Sequence, residues 1–308
     1  MYIATNEAQI GRSGAISVLP SAVRRYMSGI NLEEATELRL ITGKPFIIRY
    51  PDGDYYLTKR SVLSAAPVNT INITHGMMSE LLERITKSSL YSVKEEIRSG
   101  YITIEGGHRA GIAGTAVTEN GEVEFIRSIS AVNIRLANEI IGAAEGIMGR
   151  IAGNGIIKNT LIISPPGAGK TTMLRDITRS LSYMGFAAAV ADERCEIAAM
   201  CGGRSSFDLG NMTAVMDNCP KDRAMLMLLR SMSPDVIITD EIGTAADIEA
   251  VGKIMNSGVA VIASVHGRDT AQIMRRDDIA GLAKMFDLEI VLSKRGGAGT
   301  VEEIRENV

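Results

Sequence analysis

Ser164-Pro165-Pro166-Gly167-Ala168-Gly169-Lys170-Thr171 is the stretch from which this chain is read. The residues leading into it, Thr160 to Ser164, form an apolar strand, and those leaving it, Lys170 to Met184, have helical spacing. A glycine-bearing loop between strand and helix aims several backbone N–H groups at one place, and the helix adds its positive N-terminal end. Gly167 and Gly169 let the backbone pass close to phosphate oxygens. In such a loop Lys170 reaches the β- and γ-phosphates of a nucleoside triphosphate, and the Thr171 hydroxyl takes a place on Mg²⁺. The run Ser164 to Thr172 is therefore the expected nucleotide-binding set. The full pattern is G-x-x-x-x-G-K-[ST], and this chain has Ser164 at the first glycine, with Pro165-Pro166 stiffening the start of the loop. Gly-Lys-Thr also occurs in ordinary strand-to-helix turns, so weight falls on what accompanies it.

Three further strand ends accompany it. Pro234-Asp235-Val236-Ile237-Ile238-Thr239-Asp240-Glu241 is a buried strand closed by two carboxylates. In an open α/β sheet ligands bind beyond the carboxyl ends of the strands, so Asp240 and Glu241 are expected on the same edge as Lys170 and Thr171. There one carboxylate holds Mg²⁺ and the other positions or activates water. Taken alone, such a strand end serves equally well as an N-cap for the next helix. Ala191-Asp192-Glu193-Arg194-Cys195-Glu196 follows another apolar strand, as a second acidic strand end or as a solvated turn. Ser264-Val265-His266-Gly267 ends a fourth, where His266 either senses the γ-phosphate or is structural.

Working outward, strands and helices alternate through the second half: strands at Phe186 to Ala191, Val236 to Thr239 and Val259 to Ser264, and helices at Asp222 to Ser231 and Ala245 to Asn256. A final pair lies near Leu288 to Leu292 and Thr300 to Ile304. Continuous apolar strands separated by helices predict a mainly parallel sheet covered on both faces. The first half reads as a smaller α+β domain. Its strands are Thr36 to Ile41, Pro45 to Tyr50, Tyr55 to Leu57, Tyr101 to Glu105, Arg109 to Val117 and Glu122 to Ile126, with a further strand or short helix at Ile129 to Leu136. Short helices are expected at Pro20 to Gly29, after an N-cap at Thr74, and at Ser92 to Arg98. Asn120-Gly121 is a strong hairpin turn. Asn138 to Gly155 is rich in Gly and Ala, and it divides the chain into an N-terminal domain at 1–140, a linker at 141–156 and a second domain at 157–308.

The formal net charge of -3 gives no global attraction to nucleic acid or anionic lipid. Aromatics are too sparse for a base-stacking groove. No apolar run reaches the length of a membrane span, and Met1 to Gly14 lacks the features of a signal peptide, so a cytoplasmic location is expected. Cys195, Cys201 and Cys219 have no zinc-site spacing and are expected as reduced thiols.

The motifs together resemble the secretion ATPase superfamily, in particular its sporulation branch. The resemblance rests on Ser164–Thr172, Asp192–Ile197, Pro234–Gly243 and Ser264–Gly267, and extends into Glu105-Gly-Gly-His-Arg109 and Ile126-Arg-Ser-Ile-Ser130. It implies an α/β fold with a RecA-like P-loop NTPase core, preceded by a smaller α+β N-terminal domain. It also implies that the chain binds ATP and Mg²⁺ and hydrolyses ATP. Glu196 resembles the catalytic glutamate of an acidic box and Glu241 that of Walker B. Asp240 stands where relatives carry Gly, which leaves open whether it or Glu241 contacts Mg²⁺. His266 resembles a histidine-box residue, and Arg109 and Arg127 resemble arginines that reach the nucleotide from the N-terminal domain. The family picture is a homo-hexameric ring, peripheral at the cytosolic face of a membrane-embedded channel, without nucleic acid. Two other readings of the same core are a nucleic-acid motor and an adaptor that holds ATP without turnover.

Overall fold

The structure, a computed structural model, describes residues 12–86, 100–119, 122–137, 139–275 and 277–307. The helix expected over Ser92 to Arg98 and the Asn120-Gly121 turn lie outside these residues.

The first half opens on helices α1 (residues 12–18) and α2 (Ser21–Arg24). Strands β1 (Glu37–Ile41), β2 (Ile47–Tyr50), β3 (Gly53–Leu57) and β4 (Leu63–Ser64) follow, then helix α3 (His75–Ile85) and strands β5 (Tyr101–Ile104), β6 (His108–Glu119) and β7 (Glu122–Arg135). They form one antiparallel sheet in the order β4-β3-β2-β1-β7-β6-β5. Alternation gives the sheet its core face: β1 buries Leu38 and Leu40 and leaves its other residues partly open. Helix α3 buries Met78, Leu81 and Ile85 at helical spacing, and the Thr74 hydroxyl caps it by accepting the Met77 N–H at 3.3 Å.

One expectation is corrected here. Ile129 to Leu136 is not a separate element; its residues through Arg135 continue β7, paired along its length with β6. The register shifts between Ala113 and Thr115, and Ser128 has a left-handed φ of 48°. That irregularity breaks the two-residue period, so one bulged strand looks like two segments. A Cβ on Gly114 would lie 2.7 Å from the Arg127 carbonyl oxygen, so the close approach at the bulge requires glycine.

The second half contains α4 (Glu145–Ile151), β8 (Ala152–Gly153), β9 (Ile156–Ile157), β10 (Thr160–Ser164), α5 (Lys170–Tyr183), β11 (Ala188–Asp192), β12 (Thr213–Asp217), α6 (Lys221–Ser231), β13 (Val236–Thr239), α7 (Ala245–Asn256), β14 (Ala260–His266), α8 (Thr270–Met274), α9 (Asp277–Ala283), β15 (Leu288–Ser293) and β16 (Thr300–Glu306). Its main sheet runs β12-β11-β13-β14-β10-β15-β16, parallel throughout except for the last pair. Every residue of β10, β11 and β13 is buried, as a strand with both faces covered demands. Strand β12 has no counterpart in the sequence reading. It lies at the sheet edge and is only half-buried, and its apolar run, Ala214-Val215-Met216, is short and bounded by Thr213 and Asp217.

Two compact units result, and they are not simply consecutive. Among the described residues, 12–137 and Ala199–Phe207 form the first, while Glu139–Ala198 and Asp208–Val308 form the second. The Gly-rich stretch expected as a linker thus belongs to the second unit, and a nine-residue excursion returns to the first. A Cβ on Gly107 would meet the Phe207 ring at 2.7 Å and Ala199 at 2.8 Å, which explains a glycine in the Glu105–Arg109 turn.

Candidate functional site

Four parallel strands, β11, β13, β14 and β10, lie side by side in the second unit and end at one edge. Each carries one of the motifs singled out in the sequence. From β10 the chain enters the glycine loop, where Gly167 and Gly169 take φ of 67° and 91°. Only glycine adopts these values without strain. Lys170 starts α5 and is 7% exposed.

Glu241 reaches this loop from β13. Its Oε1 lies 3.4 Å from Lys170 Nζ, and its Oε2 accepts from Arg194 Nη1 at 3.1 Å. Glu241 itself has a left-handed φ of 41°, a costly conformation for a residue with a side chain. The Glu241 N–H donates to Ser264 Oγ at 3.0 Å, so β14 helps to hold that turn. Helix α7 is capped by Thr244 and Asp247 in a reciprocal box, so Asp240 and Glu241 are not its caps.

Asp240, beside it, is held differently. It is 2% exposed, and the nearest cation to its carboxylate is Lys221, at 3.7 Å. Its Oδ1 is buried without a hydrogen-bond partner among the described residues. Asp192, fully buried, accepts the N–H groups of Glu196 at 2.8 Å, Ile197 at 3.2 Å and Ala198 at 2.8 Å. It therefore shapes the turn that carries Arg194 and Glu196. The Arg175 guanidinium donates to the Ile197 and Glu196 carbonyls, both at 2.8 Å, and burial lowers its pKa to about 10. Cys195 in the same turn is no thiolate, because burial and the charges of Asp192 and Asp217 push its pKa up to about 12.

His266 is exposed at the end of β14, in register with Ser164. The Gly267 N–H donates to the Ser164 carbonyl at 3.2 Å, which ties this strand end to the start of the loop. Arg109 and Arg127 lie on β6 and β7 of the first unit. Arg109 stacks over the Tyr101 ring at 4.9 Å, and Arg127 is exposed opposite Thr115.

Residues 11–308 match the model of the family described as sporulation stage III, protein AA. The chain belongs to that family. The stage III sporulation protein AA of Bacillus subtilis (strain 168) is 36% identical over 297 residues, covering 93% of this chain and 92% of that protein. Among solved structures, the ATPase DotB of Legionella pneumophila is similar at a TM-score of 0.53, with 16% identity over 83% of this chain and 72% of that one. The pilus retraction motor PilT, solved with bound ADP, is similar at a TM-score of 0.58, with 13% identity over 89% of this chain and 80% of that one. At these identities the likeness is one of fold, a RecA-like core preceded by an α+β unit. Among the described residues of this stage III protein AA family member, no helix is long and apolar enough to cross a membrane.

Lys221 is the site residue that the sequence reading missed. It is 7% exposed, and its Nζ donates to the carbonyls of Asp240 at 2.9 Å and Glu241 at 3.1 Å. The same ammonium lies 3.5 Å from Glu193. It thus joins the ends of β11 and β13 and braces the strained turn at Glu241. A signal was present: Lys221 stands in the first turn of α6, where the helix dipole disfavours a cation.

Burial pushes the Asp240 carboxyl up to about 6, against the opposing pull of Lys221. Between the ordinary value near 4 and this one, the folded protein holds a proton that the unfolded chain has released. Stability therefore falls as pH rises through that window, by at most about 3 kcal/mol for two pH units. In nucleotide-free protein of this family member, Asp240→Asn should remove this loss. Relative to the parent, the variant should gain stability between pH 4 and pH 7 in urea unfolding; a constant difference across that range would contradict the assignment.

Proposed function

We propose that this family member is a Mg²⁺-dependent ATP hydrolase. Its turnover drives assembly of, or transport through, a membrane channel between mother cell and forespore. The observation that carries the reading is the Lys170–Glu241 contact of 3.4 Å, which puts the cation of the glycine loop and an acid of the neighbouring strand end at one point.

The residues fit the nucleotide and its metal. The left-handed glycines shape a loop whose N–H groups suit phosphate, and Asp240 Oδ1 is a buried acceptor with unused capacity. Mg²⁺ takes few protein ligands and keeps water and phosphate for the rest, so Thr171 with Asp240 would hold it. The bound ion supplies charge neutralisation at the phosphates. The Lys170 ammonium leaves Glu241 for phosphate oxygens when nucleotide binds. Glu241, released from that pair, joins Glu196 in orienting the attacking water. His266, in register with Ser164, would sense the γ-phosphate in this reading. Arg109 and Arg127 are the charges that the first unit contributes, from the same or a neighbouring subunit. The working form in this reading is a homo-hexameric ring, peripheral at the cytosolic face of membrane-embedded channel proteins.

ATPase rate against protein concentration tests the reading. A steep rise in specific activity is expected if sites are completed between subunits. A flat specific activity would count against the ring, and no turnover at any concentration would leave only a nucleotide-holding adaptor.

A further inference from the structure

The connection between β15 and β16, Lys294-Arg295-Gly296-Gly297-Ala298-Gly299, lies against the glycine loop of the same unit. The Gly299 N–H donates to the Ala168 carbonyl at 2.9 Å. A Cβ on Gly169 would come within 2.9 Å of the Gly299 nitrogen, so the two backbones are in contact. On Gly167 a Cβ would lie 3.1 Å from Lys294 Nζ and 3.5 Å from its Cε. The lysine thus lies directly over the first left-handed glycine of the loop.

The other polar residues of this hairpin spend their groups on the hairpin itself. Ser293 Oγ donates to Glu302 at 2.5 Å and accepts the Arg295 N–H at 3.0 Å. The Arg295 guanidinium lies 3.6 Å from Glu302, and Thr300 Oγ1 donates to the Gly297 carbonyl at 2.8 Å. Gly297 and Gly299, at φ of 110° and 90°, make the tight shape. Lys294 joins this bracing only through its backbone, its carbonyl accepting the Gly297 N–H at 3.1 Å, and its side chain takes no part. No carboxylate of the described residues lies within ion-pair distance of its ammonium, which instead extends over the loop. A loop of convergent N–H groups already favours an anion, and a cation beside it without a carboxylate partner adds to that preference.

The geometry points to Lys294 as a second phosphate-binding cation, contacting the polyphosphate of a bound nucleoside triphosphate beside Gly167. This rests on the proposed reading of the glycine loop as a nucleotide site. A point charge on the polyphosphate has a signature that a loop brace lacks: its effect grows with the number of phosphates.

Calorimetric titration of the full-length protein with ATP, ADP and AMP tests it, comparing the parent with Lys294→Gln and Lys294→Arg. Lys294→Gln should weaken ATP by about tenfold, as loss of one charge-assisted contact implies. ADP should be weakened less and AMP scarcely at all, and Lys294→Arg should restore most of the affinity. An unchanged thermal midpoint shows that Lys294→Gln is folded. If it binds ATP as tightly as the parent, or if all three nucleotides weaken alike, Lys294 is not a phosphate ligand. If the parent itself binds none of the three, the nucleotide reading fails and this inference fails with it.

Discussion

Lys170→Ala is expected to lower ATP turnover by about a thousandfold while the protein keeps its fold. Each contact between an ammonium and an ionised oxygen is worth roughly 1.5–3 kcal/mol, so losing contacts to two phosphate oxygens removes about 3–6 kcal/mol of binding and barrier lowering. The folded state loses much less. Glu241 still accepts from Arg194 at 3.1 Å and is 37% exposed, so it is not stranded as a buried lone charge. The thermal midpoint should therefore move by only a few degrees. Turnover and ATP affinity, measured beside circular dichroism, separate the two effects. Full turnover by a folded variant would sink the site assignment.

The second large effect is on stability. Asp192→Ala would strand three N–H donors that now converge on one fully buried carboxylate. An unsatisfied buried donor costs about 1–3 kcal/mol. Part of the sum is offset, because burial already raises the Asp192 pKa and its removal relieves that desolvation. A net loss of about 3–5 kcal/mol follows, comparable to breaking one side of a buried charged contact. Asp192→Asn should cost less but not nothing. Oδ1 takes Glu196 and Ile197 while Oδ2 takes Ala198, and the amide nitrogen of Asn cannot accept. Urea unfolding of the three proteins gives the order parent, Asn, Ala. An Ala variant within 1 kcal/mol of the parent would show that water or a rearranged turn replaces the carboxylate.

The sheet of the second unit was legible because its central strands are buried on both faces. Val236–Thr239 has no polar residue except its last, and such a run has few other homes in a soluble protein. The glycine loop was legible because its conformation demands residue types that stand out. What escaped depends on contacts between distant parts of the chain. Strand β12 is a half-buried edge whose apolar run is only Ala214-Val215-Met216. Lys221 looks like any helical surface lysine until β11 and β13 bring Glu193 and the Asp240–Glu241 carbonyls around it. Lys294 follows the same rule, since no local period brings it near Gly167. The single strand β7 was divided because its period breaks at a bulge set by its partner.

The excursion Ala199–Phe207 makes the chain pass between its two units three times, after residues 138, 198 and 207. After a single proteolytic nick in the Gly-rich stretch, the two fragments would be held together only by the packing of Ala199–Phe207 within the first unit, and neither half is one uninterrupted piece of sequence. The middle passage begins next to the Asp192 turn. Ala198, the last donor to that carboxylate, is followed at once by Ala199, itself at a left-handed φ of 48°. Neighbouring Cα atoms are about 3.8 Å apart and the peptide between them does not stretch. The turn that Asp192 holds is thus also the covalent start of the excursion, so loss of that carboxylate loosens the first residue of the middle passage as well as the turn.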